Sequence, residues 1–190
     1  STDQTTRLWD ITNPAQPAQL SSLTSHTGPV NSATFSPNGR TLATTSNDQT
    51  ARLWDITNPR QPHPLGQPLT GHTGPVTSAA FSRNGNVLAT ASADQTARLW
   101  DLTDPNQPRP LGQPLTGHTN AVTSAAFSPD GKVLATAGAD QTVILWDLAD
   151  LNYLLDHALE RACAIAGGGL DRDGWARYLP ELPYQETCPA

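Results

Sequence analysis

The sequence contains no methionine and only two cysteines, and charged and aromatic side chains make up only 15% and 6% of its 190 residues. Two cysteines, Cys163 and Cys188, cannot build a disulfide-rich framework. We expect both to be reduced thiols in a cytoplasmic protein, and one disulfide between them is the alternative. The missing methionine favours a fragment or a processed piece of a longer polypeptide.

Long apolar runs and basic runs are also missing. No run approaches the roughly 20 apolar residues that a membrane-spanning helix needs, and no signal peptide pattern is present. The formal net charge of −6, without a basic cluster, is unfavourable for a nucleic-acid groove or an anionic membrane surface. We therefore expect neither nucleic acid nor membrane among the partners.

Turn-forming residues are abundant instead. The chain has 17 prolines and 14 glycines, while hydrophobic residues make up 36% of it and recur at regular intervals. This regularity argues against a disordered chain, and the many turn residues favour an all-β protein. The length suits one domain, or one domain with a small appendage.

One nonapeptide is written four times with little change. Its tryptophan recurs after 45, 46 and 46 residues, and a regular spacing of this size indicates stacked structural repeats. The four copies are TDQTTRLWD at 2–10, NDQTARLWD at 47–55, ADQTARLWD at 93–101 and ADQTVILWD at 139–147.

Each repeat has the pattern of four short strands. In the third unit, Gly85 supplies the positive φ of the first turn, and prolines between 105 and 110 lead to an outer strand, where a sheet edge tolerates them. Four strands in about 46 residues are typical of a propeller blade. The predicted strands of this unit are 76–82, 87–92, 97–102 and 111–115.

The order Gly-His, Phe-Ser-Pro-Asp-Gly, Leu-Ala-Thr, Asp-Gln-Thr, Leu-Trp-Asp resembles the WD-repeat β-propeller family. The resemblance covers residues 1 to about 149 and implies an all-β propeller of four-stranded blades, of which about three and a half are present. Because a ring has about 4–8 blades, we expect further blades upstream, with association of several copies as the alternative. The predicted units are a partial blade at 1–23, complete blades at 24–69 and 70–115, and a last blade at 116–149.

The resemblance also implies a buried hydrogen-bond network of Trp, Ser or Thr, His and Asp in each blade. In the last unit Gly138 stands where the serine is expected, so we expect that network to be incomplete or bridged by water. Carried over by position, the network residues are His26, Ser46, Asp48 and Trp54; His72, Ser92, Asp94 and Trp100; and His118, Asp140 and Trp146.

A serine, a histidine and an aspartate close together could also suggest a hydrolase triad. Catalysis needs one exposed constellation with an oxyanion site, whereas this set recurs in each repeat and includes a tryptophan that can only donate. Each histidine stands without a second histidine or a cysteine at ligand spacing. We therefore expect structural networks, with no catalytic residue, no metal and no cofactor. For the arginines at 7, 52 and 98, we expect packing or a partly exposed ion pair.

Residues 150–190 break the pattern. Apolar residues with a 3.6-residue period predict a helix of about 15 residues after Asp150 as N-cap, ending at Gly167. A second short helix is predicted from Asp171 to Pro180. We expect this helical extension to cap the propeller, and a docking helix for a partner is the alternative. Its ending, DRDGWARYLPELPYQETCPA, resembles tails of bacterial WD-repeat proteins with STAND-type NTPase, protease or kinase modules upstream.

These features predict a non-catalytic scaffold that binds a protein or peptide ligand on the propeller face. The resemblance places it at the C-terminus of a larger bacterial signalling or defence protein, with the upstream domains as partners in the same polypeptide. One alternative is a self-assembling structural propeller made of several copies. The other is a propeller enzyme, which would need an acidic, His or Cys cluster unique to one blade, and we find none in the sequence.

Overall fold

Short strands joined by tight turns make up the computed structural model, which describes residues 1–149. The predicted helical extension and both cysteines lie outside the described residues. The strands of the described part are β1 (Thr6–Asp10), β2 (Ala18–Leu23), β3 (Val30–Phe35), β4 (Thr41–Ser46), β5 (Ala51–Asp55), β6 (His63–Leu69), β7 (Val76–Phe81), β8 (Val87–Ser92), β9 (Thr96–Asp101), β10 (Arg109–Thr116), β11 (Val122–Phe127), β12 (Val133–Gly138) and β13 (Val143–Asp147).

The strands form four antiparallel sheets in chain order. Blade 1 is the pair β1–β2, blade 2 is β3-β4-β5-β6, blade 3 is β7-β8-β9-β10, and blade 4 is β11-β12-β13. Within each sheet, every strand pairs with its neighbour in sequence, because short turns can join antiparallel strands. This arrangement is a partial β-propeller and confirms the predicted fold class.

The outer strands tolerate their prolines because each has one partner. β10 is longer than predicted, and it pairs only with β9. The edge of β10 that faces away from β9 makes no ladder hydrogen bonds within the blade. Pro110 and Pro114 have no N–H group to donate, and on that edge the blade loses no ladder hydrogen bond because of it. The pairing of β10 with β9 shifts register between Leu111 and Leu115, which marks a bulge in the outer strand.

Two kinds of turn recur in every complete blade. Gly39 and Gly85 take positive φ of 69° and 77° in the turn between the first and second strands. Between the second and third strands the positive φ belongs to glutamine, as in Gln49 at 68° and Gln95 at 71°. A left-handed conformation costs a residue with a side chain about 1–2 kcal/mol, so the rest of the blade must stabilise this turn.

The core lies between blades rather than within them. Leu53 and Leu65 of blade 2 pack in one cluster with Leu88 and Trp100 of blade 3. Leu145 of blade 4 corresponds to Leu53 but is 68% exposed, because no further blade packs against it in the described part of the chain. The open sheet surface of blade 4 is therefore apolar.

Side chains also tie consecutive blades to one another. Asn31 of blade 2 donates its Nδ2–H to the carbonyl oxygen of Val76 at 2.8 Å. Thr77 of blade 3 donates its hydroxyl to the carbonyl oxygen of Val122 at 2.6 Å. Since both donors occupy the second position of the innermost strand, neighbouring blades keep the same register.

Gly66 marks the close approach of the outer strand of blade 2 to blade 3. It has φ of +60°, and a Cβ there would lie 2.7 Å from the carbonyl oxygen of Asn106 and 2.9 Å from Cδ of Pro108.

We expect Gly66→Ala to destabilise the protein by about 2 kcal/mol in denaturant unfolding, through strain and clash together. The matched control is Gly112→Ala, with φ of +73° and open space around its Cβ, which should cost about 1 kcal/mol. Equal losses in the two variants would contradict the close approach.

Within residues 1–149 there is no helix long and apolar enough to cross a membrane.

Candidate functional site

A buried polar network lies inside blade 2, with Thr44 at its centre. The indole Nε1–H of Trp54 donates to Oγ1 of Thr44 at 2.9 Å, and the same oxygen lies 2.8 Å from Nε2 of His26. On the other side of the ring, Nδ1 of His26 lies 2.8 Å from Oδ2 of Asp48. Strand β4 supplies the threonine, β5 the tryptophan, and the two turns at one end of the blade supply the histidine and the aspartate.

The donors and acceptors fix where each proton sits. The indole of Trp54 can only donate, so Oγ1 of Thr44 accepts from it. The ionised carboxylate of Asp48 can only accept, so Nδ1 of His26 carries the proton that is donated to Oδ2. In the neutral imidazole Nε2 is then unprotonated, and it accepts the hydroxyl proton of Thr44. This arrangement suits a neutral histidine and an ionised aspartate.

The same network recurs in blades 3 and 4 with nearly the same geometry. In blade 3 it joins Trp100, Thr90, His72 and Asp94, with distances of 2.9, 2.8 and 2.8 Å. In blade 4 it joins Trp146, Thr136, His118 and Asp140, with three distances of 2.9 Å. The three copies show that this is a property of the repeat.

The structure brings together the predicted histidines, aspartates and tryptophans. The hydroxyl between them, however, belongs to a threonine and not to the predicted serine. The predicted Ser46 donates to the carbonyl oxygen of Gly28 at 3.0 Å and accepts from the N–H of Asp48 at 3.1 Å. Ser92 does the same in blade 3, with Gly74 and Asp94. The serines thus brace the turns, two residues away from the network centre.

Sequence reasoning missed Thr44, Thr90 and Thr136, although a signal was present. Threonine stands at this position in all three repeats, whereas the serine is replaced by Gly138 in the last one. Residues two apart on a strand share a face, so both hydroxyls point to the same side. Only the pairing of β4 with β5 decides which one reaches the tryptophan.

The expectation of an incomplete network in blade 4 was therefore wrong. Thr136 completes it, and Gly138 lacks only the bracing bonds that Ser46 and Ser92 make. The side chains of Asp140 and His118 occupy the position where a serine side chain at 138 would lie. A Cβ on Gly138 would be 2.5 Å from both Oδ1 of Asp140 and Nδ1 of His118.

Burial and hydrogen bonds shift the pKa values of histidines and aspartates in the network. Burial lowers the pKa of His26 and His72 below the ordinary value of 6.5, although the Asp48 and Asp94 carboxylates oppose the shift. Burial alone would raise the pKa of Asp48, but the hydrogen bonds donated by Thr50, His26 and Thr27 outweigh it and lower that pKa to about 2. The groups are thus held in the protonation states that the network requires.

Asp48 also connects the network to the surface. Its Oδ2 accepts from the N–H of Thr27 at 3.0 Å, and its Oδ1 accepts from both the N–H and the hydroxyl of Thr50, at 3.0 and 2.7 Å. Thr27 and Gln49 are exposed on the two turns held in this way. The buried network therefore fixes two surface turns at one end of the blade.

The arginines of the repeat have different surroundings. Arg7 forms an exposed ion pair with Asp3 at 2.8 Å, as expected for this position. Arg52 and Arg98 are half-buried, and within residues 1–149 their buried Nε atoms have no hydrogen-bond partner. The guanidinium of Arg98 lies against Gly71. Ile144 takes this place in blade 4, so packing against the preceding turn does not need the charge.

A cavity of about 300 Å³ lies between blades 2 and 3, lined mainly by apolar side chains such as Pro68, Leu69 and Trp100. None of its lining residues is titratable. Among residues 1–149, no group of three or more His, Cys, Asp or Glu side chains could hold a metal ion.

Comparison with known proteins agrees with this architecture. The model of the WD domain, G-beta repeat, matches residues 17–55, 64–101 and 109–147, which together are more than half of the chain. A search of curated proteins gave no match. The chain therefore belongs to the WD40 repeat family, which is generally a non-catalytic scaffold for protein–protein interactions.

Proposed function

We propose that the chain is the binding and sensing part of a larger, cytoplasmic bacterial signalling or defence protein, and that a protein or peptide ligand binds its turns. The observation that carries this proposal is the attachment of two exposed turns to each buried network. A network that fixes its turns lowers the conformational entropy lost on binding. In that longer protein, ligand binding to the blades would control an upstream effector domain.

The binding surface is the turn rim, which we define as the two network-bound turns of blades 2, 3 and 4. The rim carries exposed Thr27, Gln49, Thr73 and Gln95, while the Asp48 carboxylate is used inside the network. Aromatic and arginine anchors, which dominate strong binding sites, are missing from these turns. Similar neutral groups repeated on successive blades suit a ligand that makes many weak contacts at once. The turns of the rim are 26–29 and 47–50, 72–75 and 93–96, and 118–121 and 139–142.

Two observations support additional blades in the same polypeptide. Phe35 of blade 2 is 61% exposed, whereas the equivalent Phe81 packs against the core between blades 2 and 3. Val143 and Leu145 of blade 4 are 64% and 68% exposed, whereas Ala97 and Leu99 at the same positions are buried. Further blades would cover both apolar surfaces, and the resemblance of the tail favours bacterial proteins with upstream effector modules.

The rim is tested by a matched pair of charge changes in the native full-length protein purified with its partner. We expect Gln49→Lys with Gln95→Lys to release the partner, because each adds an unpaired charge to a neutral contact surface. Gln61→Lys with Gln107→Lys makes the same charge change on exposed turns at the other end of the third strands, and it should leave the complex intact. Size-exclusion chromatography measures both. Retention of the partner by the rim variant would reject the rim as the binding surface.

Self-assembly is the second candidate, supported by the same exposed Val143 and Leu145. The intact mass of the native polypeptide separates the two proposals. A mass well above 20.2 kDa supports further blades and an upstream effector. A mass near that value, with a defined oligomer in sedimentation, would favour several copies closing the ring.

A further inference from the structure

The turn between the first and second strands of blades 2 and 3 contains a reactive dipeptide. Blades 2 and 3 have Asn38-Gly39 and Asn84-Gly85 there, and both asparagines are exposed. An asparagine followed by glycine is prone to deamidation, because glycine has no side chain to hinder attack by its own backbone nitrogen. The nitrogen attacks Cγ of the asparagine and forms a cyclic succinimide.

In this structure the groups that must react are occupied. Oδ1 of Asn38 accepts from the hydroxyl of Ser36 at 2.7 Å and from the N–H of Arg40 at 2.9 Å. The attacking nitrogen, that of Gly39, donates to the carbonyl oxygen of Ser36 at 2.9 Å. Ser36 is itself buried and is held by the N–H of Thr41 at 2.9 Å. Ring closure therefore requires the turn to open first.

Blade 3 repeats this serine-bridged turn. Ser82 donates to Oδ1 of Asn84 at 2.8 Å, and the N–H of Asn86 donates to the same oxygen at 3.1 Å. The nitrogen of Gly85 donates to the carbonyl oxygen of Ser82 at 2.9 Å. The two turns are thus equivalent, and each can serve as a reference for the other.

Blade 4 carries the product of such a conversion as a natural residue. Asp130 stands at this position, where its Oδ1 accepts from the hydroxyl of Ser128 at 2.6 Å and from the N–H of Lys132 at 3.1 Å. A carboxylate therefore makes the same bonds as the asparagine amide oxygen. The hydrogen bond from Ser128 and then that from Lys132 lower the pKa of Asp130, so the group is stabilised as a carboxylate.

We propose that Asn38 and Asn84 are sites of spontaneous deamidation, that the serine-bridged turns hold the reaction in check in the folded protein, and that the blades accept the aspartate product. The glycine nitrogen forms the bond to Cγ, and the side-chain nitrogen leaves as ammonia. Water then opens the succinimide to aspartate or isoaspartate. Each conversion adds one negative charge to the turn. Isoaspartate adds a methylene to the backbone and cannot form the turn of Asp130.

The serine is tested by peptide mapping of the full chain incubated in mildly alkaline buffer. We expect Ser36→Ala to speed conversion of Asn38 about fivefold, the factor that corresponds to one ordinary hydrogen bond, while Asn84 in the same molecules keeps its rate. Ser82→Ala should produce the reverse pattern. An unchanged ratio between the two sites in both variants would overturn the protective role.

Two measurements do not depend on the serine variants. In the wild-type chain, conversion at both sites should be at least about tenfold slower in buffer than in denaturant, since it waits for local opening; equal rates would overturn the proposal. The variant Asn38→Asp should fold with an unchanged denaturation midpoint, as Asp130 indicates. A marked loss of stability in that variant would show that the blade rejects the product.

Discussion

Thr44→Val should destabilise the protein by about 3 kcal/mol, because removing one hydroxyl leaves two buried groups, Nε1–H of Trp54 and Nε2 of His26, without their partner. Valine has nearly the same shape as threonine, so the loss reports hydrogen bonding rather than packing. Thr44 is 0% exposed, and water cannot replace the missing hydroxyl without rearrangement. Urea unfolding followed by tryptophan fluorescence measures the change, and the free energy of unfolding should fall with an unchanged m-value.

The next residue supplies the matched control. Thr45 is also 0% exposed on the same strand, but its Oγ1 has no hydrogen-bond partner among the described residues. Thr45→Val removes a buried hydroxyl that makes no bond, so we expect it to be neutral or to stabilise by about 1 kcal/mol. Ala91 and Ala137 at the equivalent positions show that the repeat does not need this hydroxyl. Similar losses from the two valine substitutions would contradict the network.

Acid should unfold the protein in two stages. The unfolded chain protonates His26 and His72 near the ordinary pKa of 6.5, whereas burial lowers the pKa of both in the folded chain. The unfolded state therefore binds more protons below 6.5, and stability falls as the pH drops through that value. In the network the added proton on Nε2 would face the hydroxyl proton of Thr44, so the hydrogen bond must reverse or break.

The carboxyl groups act in the same direction at lower pH. Burial would raise the pKa of Asp48 and Asp94, but hydrogen bonds from the neighbouring turn and histidine lower it to about 2, against 3.8 for an ordinary aspartate. The stability that these ionised carboxylates give to the folded protein is fully present above pH 3.8, and it is lost as the pH falls towards 2. The urea midpoint measured from neutral pH into this range should therefore decline below 6.5 and again below 3.8.

An exposed histidine gives the control for the first stage. The side chain of His63 is 64% exposed and lies 3.7 Å from Asp55. We expect His63→Gln to leave the decline below 6.5 unchanged, since an exposed ion pair contributes little. A midpoint that stays flat as the pH falls from neutral through 6.5 would show that the buried histidines do not control acid stability.

The spacing of the repeats was sufficient to predict the blades. Four tryptophans at a constant interval, with period-2 strands and turn residues between them, predicted four-stranded antiparallel units, and the sheets confirm them. The strand ends were less predictable. β10 extends to Arg109 and Thr116 because its pairing with β9 continues on both sides of the register shift between Leu111 and Leu115, and an outer strand tolerates prolines.

Which hydroxyl forms the network could not be read from the sequence in the same way. Thr44 and Ser46 lie on one face of β4, and both are short side chains with a hydroxyl. The register decides between them, since Leu42 pairs with Trp54 and Thr44 pairs with Arg52. In this register the indole nitrogen reaches Thr44, while Ser46 reaches the turn at Gly28.

The sequence by itself determined the repeat, the strand periodicity and the residue types of the network, because each depends on local pattern and spacing. Only the tertiary structure decided that Thr136 completes the network of blade 4 and that Gly66 must stay without a side chain. It also showed that Phe35 and Leu145 lie exposed on apolar surfaces. These features depend on distances between chain segments far apart in sequence, and such distances are set by how sheets pack rather than by any local preference.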